Sequence, residues 1–241
     1  MFRCEGLTKS YPGRLPLFQD VNFKIDKGEF FYLSGVSGAG KTTIFKMFLL
    51  LERPDAGAIR FGEREITHLS ARQRAAHRRR IGMVFQDQDN RLLAAETVEN
   101  NVALPLRIGG LSGREMRRRV HKLLEQVGLA ERKKEPVRGL SGGEKQLVSI
   151  ARALVFNPEV FLADEPTGNL DRNVALKVMT LLQAIHQTGC TVVVATHDLN
   201  LIRRYRARTL LIKARKLHEV RLTDPGPGDP PLHDRLPPAA P

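Results

Sequence analysis

Val21, Phe23 and Ile25 alternate with Asn22 and Lys24, the period-two pattern of a strand with one face in a core. Asp26-Lys27-Gly28-Glu29 reads as a turn, and Phe30-Phe31-Tyr32-Leu33 as a buried strand, so the first forty residues predict strands. A helix is expected to begin near Lys41 and to end before Pro54, because proline pushes the residue ahead of it out of helical geometry. Ile59-Arg60-Phe61 predicts another short strand. Ser70 suits the N-cap of a basic helix reaching Arg80, and Ile81–Phe85 predicts a buried strand that ends at Gln86.

From Asp87 to Asn157 the period becomes helical, with a break at Leu111-Ser112-Gly113. Met116, Val120, Leu123, Leu124 and Val127 fall on one helical stripe, while Arg117, Arg118, Arg119, His121 and Lys122 occupy the remainder. This stretch, residues 87–157, predicts a helical subdomain inserted into a sheet. The sheet resumes at Val160–Ala163 and Thr191–Ala195, apolar runs that suit parallel strands covered on both faces. A helix over Arg172–Gln187 joins them as a βαβ unit. Thr209–Lys213 and Leu217–Val220 predict an edge hairpin, turning through Ala214-Arg215-Lys216 without the usual glycine. Residues 1–222 are therefore expected to form one domain, and the Pro-rich segment 223–241 a disordered tail.

Two segments carry candidate chemistry. In Gly35-Val36-Ser37-Gly38-Ala39-Gly40-Lys41-Thr42 the glycines let backbone N–H groups approach phosphate oxygens with no Cβ in the way. The helix that follows adds its N-terminal partial charge. Lys41 would reach the β- and γ-phosphates, the Thr42 hydroxyl would coordinate Mg²⁺, and Thr43 would bond the α-phosphate. Asp164-Glu165 closes the Val160–Ala163 strand, which places Asp164 to hold Mg²⁺ and Glu165 to orient a water and accept its proton.

A net charge of +13, from 39 basic and 26 acidic residues, admits nucleic acid, an anionic membrane surface or an acidic partner. Much of that charge falls on solvated helix faces, and no aromatic-basic motif accompanies it, so no nucleic-acid partner is expected. No run approaches the roughly twenty apolar residues of a membrane span, and the start lacks an apolar signal region. Cys4 and Cys190 have no paired spacing, which suits reduced cytoplasmic thiols.

The ordered set GVSGAGKTT, Gln86 after Val84-Phe85, Leu140-Ser141-Gly142-Gly143-Glu144, LADEPTGNLD (Leu162–Asp171) and Ala195-Thr196-His197-Asp198 resembles the ATPase subunits of ABC systems. The resemblance implies an α/β fold: a RecA-like P-loop NTPase core of mainly parallel sheet, an antiparallel β part and the inserted helical signature subdomain. It implies Mg²⁺-dependent hydrolysis of ATP to ADP and phosphate. Tyr11 is then implied to stack on adenine, and Gly35, Val36, Ser37, Gly38, Ala39, Gly40, Lys41, Thr42 and Thr43 to hold the nucleotide. Thr42, Gln86 and Asp164 would serve the metal, with Gln86 also touching the hydrolytic water. Glu165, His197, Gln86 and Lys41 form the implied catalytic group, His197 holding the γ-phosphate.

Ser141, Gly142 and Gly143, in a trans signature that includes Glu144, are implied to bind the γ-phosphate held by the opposite subunit of a head-to-tail homodimer, and Asp171 to pass contacts across it. This has a physical reason. A serine hydroxyl and glycine N–H groups opening a helix offer an anion site with no phosphate of its own, which a second copy's ATP would satisfy.

Arg78–Asp87, Thr97–Leu106, Glu165–Asp171 and Ala195–Ile202 resemble in particular the cell-division branch of the family. That branch implies a partner, an integral membrane protein of the FtsX type, at the cytoplasmic face of the bacterial inner membrane and at the division site. There ATP turnover activates peptidoglycan hydrolysis rather than moving a solute. Lipoprotein-release and macrolide-export ATPases share the PTGNLD stretch and remain an alternative. The partner's short cytoplasmic helix is expected on Asp89–Leu106. One departure stands in the signature, which continues Lys145-Gln146-Leu147-Val148 where many relatives have Gln-Gln-Arg-Val.

Overall fold

The computed structural model describes residues 1–13, 15–86 and 92–220. The tail expected from 223, and residues 87–91 at the start of the expected helical subdomain, lie outside the described residues. The chain divides into two compact units, one of residues 1–69 with those from 195 onward, the other of Ser70–Val194.

In the first unit β1 (Phe2–Lys9) pairs antiparallel with β2 (Phe18–Ile25), whose alternating Val21, Phe23 and Ile25 face inward as the pattern predicts. β3 (Phe30–Gly35) leads into the glycine-rich loop and α1 (Lys41–Phe48). This helix stops well short of Pro54. Leu50 takes φ +56 and the Leu51 N–H turns back to the Lys46 carbonyl at 2.8 Å, so a left-handed closure ends it rather than the proline. β4 (Ala56–Phe61) and β5 (Arg64–Glu65) complete a four-stranded sheet in the order β2-β1-β4-β5. Phe2 locks that sheet to α1, its ring stacked on Phe48 with centroids 3.9 Å apart.

The second unit opens with α2 (Ala71–Arg78), capped as expected by Ser70, which forms a reciprocal capping box with Gln73. β6 (Ile81–Val84) follows. α3 (Val98–Ile108), α4 (Gly113–Gln126) and α5 (Gly142–Leu154) then bury Val98, Val102, Leu106, Met116, Val120, Leu124 and Val148 in one apolar cluster. The helical stretch thus has its own core. Asn101 is wholly buried and anchors the chain ahead of α3: its amide donates to the Leu93 and Thr97 carbonyls and accepts the Leu93 N–H. β7 (Val160–Asp164) runs parallel to β6, α6 (Arg172–Gln187) has the predicted bounds, and β7 lies between β6 and β8 (Thr191–Thr196).

Back in the first unit, α7 (Leu199–Arg204) leads to β9 (Arg208–Lys213), which pairs in parallel with β3, and to β10 (Lys216–Val220), antiparallel to β9. The turn holds two residues rather than three. Ala214 and Arg215 take φ +49 and +63, left-handed values that Asn-Gly adopts more readily. The Arg215 carbonyl accepts the Gln19 N–H at 3.2 Å, a contact from β2 that supports the tight turn. No helix among the described residues is long and apolar enough to cross a membrane.

Candidate nucleotide site and signature helix

In the first unit the chain leaves β3 at Gly35 and enters α1 through Gly40, which has φ +104. A side chain there would be strained, and its Cβ would lie 3.2 Å from the Phe18 ring. No side chain caps α1, so the helix begins directly behind the loop. Lys41 is only 6% exposed: its ammonium donates to the Gly35 carbonyl at 2.7 Å and to the Val36 carbonyl at 3.3 Å. The loop therefore closes around its own lysine. Val36, Ser37 and Gly38 face outward, Ala39 and Thr42 are half-buried, and Thr43 is buried.

Tyr11 is brought to this loop, its hydroxyl 3.5 Å from the Thr43 hydroxyl. A clamp lies just before it. Asp55 accepts the Ser10 N–H at 2.7 Å and its hydroxyl at 2.8 Å, and pairs with Lys9 at 3.0 Å. The Ser10 donors and Lys9 hold the Asp55 carboxyl below its ordinary range. Burial acts to lower the Lys9 ammonium, but Asp55 and Glu52 outweigh it and raise the group. The Lys9 ammonium also lies 5.3 Å from the Tyr11 ring centroid. These partners are 46 positions apart, and neither spacing nor period marks them. His197 is exposed just past β8. The adjacent Asp198 caps α7, accepting from the Asn200 and Leu201 N–H groups at 2.8 and 3.1 Å.

In the second unit Asp164 ends β7 at 2% exposure, and Glu165 follows at 8% with φ +45. A left-handed glutamate is costly, and such residues persist where surrounding structure holds them. Hydrogen bonds on both sides hold this turn. Gly168 N–H donates to the Glu165 carbonyl at 3.0 Å, and the Gln146 amide of α5 donates to the Pro166 carbonyl at 2.8 Å. Gln86 is exposed immediately after β6.

Ser141 caps α5. Its hydroxyl accepts the Glu144 N–H at 3.3 Å and donates to the Glu144 carboxylate at 2.8 Å, which also accepts the Ser141 N–H at 2.9 Å. Arg132 donates to the second oxygen of that carboxylate. The Ser141 N–H, then its hydroxyl and Arg132, hold Glu144 below the usual carboxylate range against the effect of burial. Gly143 and Gly142 differ sharply. A Cβ on Gly143 would collide with the Val174 methyl groups of α6, whereas one on Gly142 would meet nothing within 4 Å among the described residues. Asp171 caps α6, accepting from Asn173 and Val174 N–H at 2.9 and 3.0 Å. The signature turn and the Asp171 cap are thus joined through Val174.

Among the described residues no group of three or more His, Cys, Asp or Glu side chains could hold a metal alone. The hydroxyl of Thr42 and carboxylate of Asp164 are hard oxygen donors of the kind Mg²⁺ takes alongside substrate phosphates.

A glycine-rich loop between strand and helix, folded around a buried lysine, together with a carboxylate pair ending a buried strand, defines a P-loop ATPase of mixed α/β fold. Residues 18–168 match the family model described as ABC transporter. The chain is similar to the cell division ATP-binding protein FtsE of Escherichia coli K12, 46% identical over 218 residues that cover 90% of this chain and 97% of that protein. It is also similar to the methionine import ATP-binding protein MetN of Clostridioides difficile, at 39% identity, covering 91% and 68% of the two chains. An ATP-binding cassette solved as a dimer in a post-hydrolysis state with ADP and Pi superposes with TM-score 0.83 at 34% identity, covering 92% of this chain and 99% of that one. The chain belongs to the ABC transporter family and is an ATPase.

Proposed function

We propose that this ATPase serves bacterial cell division, as a head-to-tail homodimer beneath an FtsX-type membrane protein at the division site, with hydrolysis driving activation of peptidoglycan hydrolases. The reading is supported by the 46% identity to the Escherichia coli cell-division protein over nearly the whole of both chains. Residues 1–222 form the ATPase domain in this proposal, with 87–157 as its helical subdomain.

The observation that carries the dimer is the open space at Gly142. Helix α5 begins with an exposed serine and a glycine that nothing among the described residues requires to lack a side chain. An anion brought by a second copy would require it. In that arrangement Lys41 leaves the Gly35 and Val36 carbonyls for the β- and γ-phosphates, and the loop N–H groups cradle them. Tyr11 lies against the base. Mg²⁺, held by Thr42, Asp164 and Gln86, would neutralise phosphate charge. Glu165 orients a water and takes its proton, while His197 holds the γ-phosphate. Ser141, Gly142 and Gly143 close the site from the partner protomer, with Asp171 relaying contacts between the two.

The membrane partner is proposed to seat a short cytoplasmic helix in the groove between α3 and α4. That groove has a cavity of about 320 Å³ whose lining is mixed, with Ala103, Met116, Val120 and Leu124 beside Glu99, Asn100, Arg107, Arg117, His121 and Lys133. Glu165→Gln should retain ATP and sediment as a dimer only with nucleotide. A variant that turns over ATP normally, or stays monomeric at saturating ATP, would refute the site. Co-purification from membranes with a substrate-translocating permease would replace the division role by solute transport, the role named for the methionine-import relative.

A further inference from the structure

We propose that Arg132 is a positioning residue for the signature serine: by holding and neutralising Glu144, it lets Ser141 exchange its helix cap for the γ-phosphate of a second copy's nucleotide. This rests on the reading of Ser141–Gly143 as a cap supplied in trans.

Glu144 stands at the third position of α5, where an anion suits the helix N-terminus. The same place puts a carboxylate within hydrogen-bond reach of the hydroxyl that must bind a second anion. Both oxygens are committed. One accepts the Ser141 N–H and O–H, the other accepts from Arg132. Among the described residues Arg132 is the cation in contact with Glu144. Its remaining donors go to Glu135, at 3.0 and 2.6 Å, so the guanidinium is fixed between two carboxylates.

The backbone carrying it is fixed as well. Arg132 N–H donates to the Leu129 carbonyl and its carbonyl accepts the Glu135 N–H. The Lys133 and Glu135 carbonyls accept the Glu99 and Val98 N–H groups at the start of α3. Without Arg132, Glu144 would keep a full charge beside the incoming phosphate and retain the serine hydroxyl as its donor. With it, the carboxylate stays where it is while the hydroxyl rotates away.

The test uses the full chain in the Glu165→Gln background, measuring ATP-driven dimerisation by sedimentation and nucleotide binding to the monomer by fluorescence. Arg132→Ala should weaken dimerisation up to about fivefold, as expected for loss of one partly screened charge contact, and leave monomer binding and melting temperature unchanged. Arg132→Lys should recover most of it. Adding Glu144→Gln to Arg132→Ala should restore dimerisation, because the charge to be neutralised is gone. Parental dimerisation by Arg132→Ala, or a double variant no better than Arg132→Ala, would overturn the proposal. Failure of the Glu165→Gln parent itself to dimerise would instead remove the trans reading on which it stands.

Discussion

The Gln146 side-chain amide donates to the Pro166 carbonyl at 2.8 Å, so the helix that opens with Ser141 grips the turn that carries Glu165. Both partners are buried, and Glu165 is held in a left-handed conformation one residue away. Replacing Gln146 by Leu leaves that carbonyl unpaired, at a cost of about 1–3 kcal/mol. Denaturation should register the cost, and steady-state kinetics should show kcat falling more than KM changes. A normal kcat in a destabilised variant would make the contact structural only.

Gly142 and Gly143 should respond oppositely to alanine. Gly143→Ala pushes a methyl into Val174, and overpacking of this kind costs about 1–3 kcal/mol, relieved by adding Val174→Ala. Gly142→Ala meets open space at a helical position and should leave stability unchanged or raised by up to about 1 kcal/mol. It should nonetheless weaken ATP-driven dimerisation. Denaturant midpoints and sedimentation separate the two effects.

Lys41→Met keeps the length of the side chain and removes its charge. Loss of a charge-assisted contact of roughly 1.5–3 kcal/mol should weaken ATP binding at least about tenfold, measured by calorimetry. Unchanged affinity would mean that Lys41 does no more than hold the loop carbonyls.

The Asp55 clamp sets an acid limit. Its carboxyl lies lower folded than unfolded, so its stabilisation is complete above the ordinary value of 3.8 and is lost as pH falls through the lowered one. Lys9 is raised, so its contribution is complete below the ordinary 10.5 and is lost only as pH rises through a still higher value. Asp55→Asn should therefore lower the melting temperature by a constant amount at neutral pH, and the gap should close in acid. A gap independent of acidification would show that the Asp55 charge does not stabilise the fold.

The hairpin turn is improvable. Ala214→Asn with Arg215→Gly places residues tolerant of positive φ where φ is +49 and +63. A gain of about 0.5–1 kcal/mol in denaturant unfolding is expected, since the backbone hydrogen bond from Gln19 is retained.

Features that depend on a few neighbouring residues were legible in the chain alone. The Ser70 cap, the helix over Arg172–Gln187, the strand ending at Asp164 and the glycine loop before Lys41 each follow from period, cap or turn chemistry within a single segment. Tertiary contacts decided the rest. Leu50, Ala214 and Glu165 take left-handed geometries that their residue types do not advertise. The grip of Gln146, the collision that excludes a side chain at Gly143, and the pairing of Lys9 with Asp55 join positions far apart in sequence. Local propensity differs by less than about 1 kcal/mol among ordinary residues, so one buried hydrogen bond or one packed methyl can override it. Which distant residue supplies that bond is settled only when the elements pack.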